Sequence, residues 1–247
     1  MQSEETREEG RGGVLATARP QSPTRPGARD GHPWLRSWWT LVLAVIVVFN
    51  LIYALPRYLS FDPARSRSTL DPSFALHFPV LVAHIVAGNL ALVTLVVQLI
   101  PWIRRNHPAV HRASGRIYIF GGAIPSALLA LVLLPYSTAP MGRLGLAAMA
   151  VLWITTTSVA YVMVRRHRYL EHRRWMLYSF ALALGTSWGR VISVFATPGM
   201  DIDVALFFDI SSWLGWVVSL LAVHWYVERT NDRAARELGS PMPTVAA

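Results

Sequence analysis

The sequence predicts an all-α integral membrane protein: a six-helix bundle with both termini in the cytoplasm. Three observations carry this. Hydrophobic residues make up 53% of the 247 and charged residues only 15%, against roughly 25% charged in an ordinary soluble domain. The apolar residues come in six long runs, each near the ~20 residues a helix needs to cross ~30 Å of hydrocarbon. The positive residues, all 23 of them arginine, gather in alternate gaps between those runs. Long apolar runs exclude a soluble enzyme, a nucleic-acid-binding domain and a disordered chain. The absence of cysteine excludes disulfides, thiolate zinc sites, iron–sulfur clusters and covalently attached c-type haem. The net charge of +9 therefore belongs against an anionic lipid surface, not nucleic acid.

Taken in order, residues 1–33 are polar and rich in Gly, Pro, Arg and Glu, which predicts a disordered cytoplasmic tail. The transmembrane domain follows over 34–229. Its first run, Trp38 to Leu55, starts among Trp34, Trp38 and Trp39, residues suited to the membrane interface, and acts as an uncleaved start signal. The second covers Phe78 to Ile103, the third Ile117 to Leu134 and the fourth Leu144 to Val164. The fifth covers Trp175 to Ala196 and the sixth Val204 to Val227. Prolines at 56, 63, 101, 108, 135, 140 and 198 punctuate them. Within the third run, Gly121-Gly122 beside Pro125 predicts a kink or a close helix contact. Residues 230–247 predict a second disordered cytoplasmic tail.

Six spans put both termini on one side, and arginine decides which. The N-terminal tail, the second-to-third gap, the fourth-to-fifth gap and the C-terminal tail hold 18 arginines; the alternate gaps hold 4. The positive-inside rule places the richer side in the cytoplasm, which makes this a protein of the cytoplasmic membrane.

Polar groups inside hydrocarbon cost free energy and need a reason. In the second run, His84, Gly88, Ala91 and Gln98 fall on one helical face, extended outward by His77. That face reads either as a packing seam with one hydrogen-bonded histidine or as a buried functional site. Arg190, about 15 residues into the fifth run, sits ~22 Å from its cytoplasmic end. Left unpaired, it costs ~2.5–3.5 kcal/mol on insertion scales. His84 and Asp209 fall at similar depth, Asp209 as the obvious partner and His84 as a second one. The group is either a buried ion pair that locks helices or the lining of a cavity for an anion, a quinone head group or a proton. The hydroxyls of Thr155 to Ser158, and of Ser179, Thr186 and Ser193 at sevens, read as helix packing.

Other histidines cluster at the cytoplasmic end. His111, His172 and His224 meet the depth condition for a bis-histidine b-type haem, with Arg112, Arg116 and Arg173 placed for its propionates. The competing reading is that these are residues of interfacial basic loops. No phosphate loop, dinucleotide fingerprint or zinc-protease motif is present.

Two stretches carry a resemblance. His111-Arg112-Ala113-Ser114-Gly115-Arg116-Ile117-Tyr118 and His172-Arg173-Arg174-Trp175-Met176 resemble the paired signatures of a bacterial multi-pass membrane family, domain of unknown function 2306. Its downstream arginine is matched by Arg190, and the histidine, glycine and glutamine of its upstream helix by His84, Gly88 and Gln98. Tyr178 departs from the pattern, standing where an arginine is common. The resemblance spans about 75–225 and implies the architecture and a residue list, not an activity. Three functions stay open: a haem-binding or quinone-linked redox protein, a small transporter with a buried polar site, and a structural assembly partner whose polar residues only lock helices.

Overall fold

The computed structural model describes residues 38–66, 68–137, 142–196 and 204–239; within them the side chains of 38–40, 189, 192–196, 204–205, 207–209 and 232–239 are not described. Every regular element among these residues is helical. The first apolar run forms α1 (Trp38–Tyr58), with Pro56 in its last turn. A 3-10 turn over Pro63–Arg65 follows, capped where the Ala64 N–H donates to Asp62 Oδ1 at 3.0 Å.

The second run forms α2 (His77–Leu99). It stops earlier than its hydropathy predicts because Ile100 precedes Pro101 and is pushed to an extended ψ of 111°. Two short helices turn the chain around: α3 (Pro101–Asn106) and α4 (Pro108–Arg116), each with proline in its first turn, where the missing N–H costs nothing. α4 continues through a π-helical stretch, Ile117–Ala123, into α5 (Ile124–Leu133) and a final 3-10 turn, Leu134–Tyr136. The third span is thus one rod, Pro108–Tyr136, that begins nine residues before the apolar run. A kink or a close helix contact was expected at Gly121-Gly122; the helix widens there, and Gly122 approaches Ala91 closely. Pro125 has no N–H to offer the Gly121 carbonyl and its ring crowds it, and two glycines lower the resistance to the wider turn.

α6 (Arg143–Arg165), α7 (Tyr169–Ala196) and α8 (Val204–Gly239) complete the fold. α6 ends in a Schellman motif. The His167 N–H donates to the Val164 carbonyl and the Arg168 N–H to that of Met163, with His167 at φ 60° in the left-handed region where glycine is usual. α8 remains helical to Gly239, past the boundary at 230 where a disordered tail was expected.

Among the described residues, five helices are long and apolar enough to cross a membrane: Leu41–Tyr58, His77–Leu99, Pro108–Tyr136, Arg143–Arg165 and Ile210–Asn231. α7 packs between α6 and α8, α2 against the π stretch and α5, and α1 against α2. Apolar side chains both fill the core and cover the outside, and several polar ones are buried. Large apolar side chains such as Leu41, Val45, Val48 and Ile52 on α1, and Leu214, Val218 and Leu221 on α8, face outward. Asn50, Ser126, Thr157, Ser179 and Ser187 lie fully inside. Hydrocarbon rewards that arrangement, because packing and interhelical hydrogen bonds, not apolar burial, hold such helices together. Small residues make the approach close: a Cβ on Gly122 would stand 2.9 Å from the Ala91 backbone, and one on Gly185 2.5 Å from Trp216 Cβ.

Candidate functional site

α2 and α7 carry the two most expensive polar residues to one level. His84 lies about 10 Å along α2 from its start at His77. Arg190 lies about 9 Å from the end of α7 at Ala196. Both line the same cavity of about 40 Å³, together with Asn89 from α2, Ser126 from α5, Trp153 from α6 and Thr186 from α7. His84 and Arg190, read from the sequence at similar depth, thus line one cavity.

Each polar group there has a fixed orientation. The His84 ring nitrogen Nδ1 lies 2.9 Å from the Ser126 carbonyl. A carbonyl only accepts, so Nδ1 carries a proton. Asn50 on α1 donates its Nδ2 to the Ile46 carbonyl at 2.8 Å, which turns Oδ1 toward Arg190; the guanidinium donates to it at 2.8 Å. Asn50 is fully buried and is a partner the sequence reading missed. Asp209, expected in that role, lies outside the described side chains. Asn89 likewise donates Nδ2 to its own helix, to the Ile85 carbonyl at 2.8 Å. Its Oδ1 is buried and, among the described residues, has no partner.

Gln98 does not join this site. It lies about 21 Å further along α2 and donates Nε2 to the His111 carbonyl and to Ser114 Oγ, both at 2.6 Å. Gly115 makes room for it, its Cβ position being 3.4 Å from the Gln98 amide. The α2 face is therefore divided: a packing seam through Ala91 and Gly122, a lock at Gln98, and a cavity wall at His84.

Beside the cavity runs a buried polar chain that sequence reasoning did not assemble. The Trp153 indole N–H donates to Tyr118 Oη at 3.2 Å, Tyr118 shares a hydrogen bond with Ser179 Oγ at 2.8 Å, and Ser179 shares one with Thr157 Oγ1 at 2.7 Å. An indole only donates, so the Tyr118 oxygen accepts from it. The chain joins the π stretch, α6 and α7.

The opposite end is basic. His111 stands within electrostatic reach of His172, Arg104 and Arg112. His172 donates Nδ1–H to the Ala160 carbonyl at 2.8 Å, while His111 Nδ1 has no partner among the described residues. His224 is exposed and bonds Tyr178 at 3.0 Å, beside the Arg174–Glu228 pair at 2.8 Å. Arg112, Arg116 and Arg173 are exposed. His111 and His172 are thus brought near each other, and His224 is held by its own partner. No group of three or more metal-ligating side chains occurs among the described residues.

At the far end of α2, Phe74 stacks on Tyr136 at 4.4 Å, and the Asp71 N–H donates to His77 Nδ1 at 2.9 Å. The Ser73 hydroxyl and amide both donate to Asp71 Oδ1 and hold its carboxyl below the ordinary carboxylate value, with a smaller contribution from His77.

Residues 81–227 match the model of a family described as "Predicted membrane protein (DUF2306)". The chain belongs to that family. No curated protein and no solved structure matches it. The family stretch contains the cavity residues His84, Asn89, Ser126, Trp153, Thr186 and Arg190, and the whole Trp153–Tyr118–Ser179–Thr157 chain. Asn50, which orients Arg190, lies outside it.

Proposed function

We propose that this protein is a six-span permease of the cytoplasmic membrane, with α7 as the sixth span, and that the His84–Arg190 cavity is its solute site. The single observation behind this reading is that a guanidinium and an imidazole from different helices line one cavity at matched depth. A volume of about 40 Å³ has room for about three waters. It suits a small polar solute and is several times too small for a quinone ring. The arginine distribution supports a cytoplasmic position for the His111–His172 end and for both termini. A reporter fused after Ala247 that is active only outside the cell overturns that orientation.

Function is tested in proteoliposomes by stopped-flow light scattering under an inward gradient of sodium formate, nitrate or bicarbonate, with gramicidin carrying the counter-ion. At least one solute is expected to enter faster than into empty vesicles, and Arg190→Leu to abolish the difference while helix content stays unchanged. Wild-type vesicles that match empty ones for all three solutes, or an Arg190→Leu variant as fast as wild type, refute the reading. A second reading, haem between His111 and His172, draws on their proximity alone. A Soret band in protein purified after haem supplementation would favour it; no band removes it.

A further inference from the structure

The connection between α1 and α2 lies at the other end of α2 from Gln98 and His111. Arginine is sparse in that part of the sequence, yet two arginines share one pocket there. Arg57 stands in the last turn of α1, and Arg65 ends the 3-10 turn that packs against α1. Both line an open cavity of about 490 Å³, within the roughly 300–1,000 Å³ of ordinary ligand sites. The carbonyls that end α1 favour a cation at Arg57; they give no reason for a second one across the pocket. Arg65 is brought there by a turn in which Phe61 takes a φ of 53°, a left-handed conformation that disfavours a bulky side chain. Backbone bonds hold that turn, Phe61 N–H to the Tyr58 carbonyl at 3.2 Å and Arg65 N–H to that of Asp62 at 3.1 Å.

Asp62 offsets one of the two charges. Its Oδ1 accepts from the Ala64 N–H, and its Oδ2 lies 3.4 Å from Arg65 Nε. Arg57 has no ion-pair partner among the described residues. The pocket thus keeps one positive charge in excess. Its other wall is apolar, formed by Ile52, Tyr53 and Pro56. From Ile52 an apolar stripe continues along one face of α1 through Val48, Val45 and Leu41, all at least half exposed. The stripe runs about 16 Å along the helix axis. A soluble anion would use the arginines and leave the stripe unmatched; a neutral acyl chain would do the reverse. A headgroup bearing an amine would set an ammonium beside the guanidiniums. We infer that this pocket binds an anionic glycerophospholipid, its phosphodiester between Arg57 and Arg65 and an acyl chain along Ile52, Val48, Val45 and Leu41. Arginine suits the role because its planar fork meets phosphate oxygens in pairs. The site shares no lining residue with the His84–Arg190 cavity and lies wholly before the family stretch, so it stands or falls independently of the solute reading.

Native mass spectrometry of the full-length protein in detergent measures the affinity of the first bound lipid. The probes are phosphatidylglycerol and phosphatidylethanolamine with identical chains. Wild type is expected to bind phosphatidylglycerol more tightly, and the double variant Arg57→Gln/Arg65→Gln to weaken it about tenfold. The charge-matched control is Arg165→Gln/Arg166→Gln, two exposed arginines at the end of α6, expected to change it less than about twofold. Equal binding of the two lipids by wild type overturns the inference, as does a pocket variant that binds like wild type or a control that loses as much. Displacement of phosphatidylglycerol by an equal concentration of glycerol 3-phosphate would show that the acyl chain contributes nothing, and would overturn the lipid in favour of a soluble phosphate ester. Should the double variant not be monodisperse, Arg57→Gln and Arg65→Gln taken singly make the same comparison, each with an expected loss of about threefold.

Discussion

Removing one oxygen atom from the centre of the bundle should weaken it measurably. Tyr118 is fully buried, and its ring packs edge-on against Phe180 at 5.0 Å and 89°. Tyr118→Phe keeps that ring and deletes the hydroxyl. The Trp153 indole N–H then loses the acceptor it holds at 3.2 Å, while Ser179 keeps Thr157 at 2.7 Å. One buried donor is left unsatisfied, a cost of about 1–3 kcal/mol. Interhelical hydrogen bonds in membrane proteins average about 0.6 kcal/mol and reach about 1.7, because the unfolded chain in lipid finds other partners. The indole has a single donor, so the expected loss is about 1–2 kcal/mol. Tyr118→Ala also empties the ring's volume and should cost about 3–5 kcal/mol. Unfolding in mixed micelles, followed by tryptophan fluorescence against the mole fraction of dodecyl sulfate, measures both. A Tyr118→Phe loss below about 0.3 kcal/mol refutes the reasoning, since a chain of hydroxyls worth less than a weak surface pair does not hold three helices in register. Equal losses for Phe and Ala refute it differently, by locating the whole contribution in the hydroxyl and none in the ring.

Gly122→Ala should destabilise by about 1–3 kcal/mol in the same assay, because its Cβ meets the Ala91 backbone rather than a side chain that can move; an unchanged transition would show that α2 and the rod separate without cost. His167→Gly should stabilise by about 0.5 kcal/mol: relief of a left-handed φ outweighs glycine's greater chain entropy. A decrease in stability there would mean that the His167–Tyr169 hydrogen bond at 3.0 Å matters more than the backbone. At the other end, the folded-state pKa of Asp71 is depressed, so its contribution is present above the unfolded value near ~3.9 and fades as pH falls through the folded one. Protection of the Ser73 amide against exchange, taken relative to its intrinsic rate at each pH, should fall with acid in wild type and lose that dependence in Asp71→Asn; identical profiles would contradict the assigned cause.

The architecture was legible where hydropathy and proline speak for themselves. The apolar runs correspond to helices, and His84 and Arg190, read at similar depth, line one cavity, while Asp209, the first partner expected for Arg190, lies outside the described side chains. Local backbone chemistry was harder to see. The run through Ile103 conceals the break at Ile100, since an apolar residue before proline looks the same in a pattern whether helical or extended. Asn50 escaped notice as the orienter of Arg190: a neutral amide amid valines carries no charge signal, and its partner is 140 residues away. Ser179 was noticed for its spacing and Tyr118 for its motif. Their hydrogen bond depends on how closely α7 meets the rod, which no single-helix periodicity encodes.

The π stretch has a consequence for how this rod tolerates change in length. In regular winding, one surplus residue would swing everything beyond it by about 100° around the axis. The wider turns of Ile117–Ala123 absorb such a surplus, so Ser114 below and Ser126 above both still look toward α2. Deleting one residue between 117 and 123 should therefore leave both halves seated, whereas the same deletion in α2 or α6 would spin half a helix away from its neighbours.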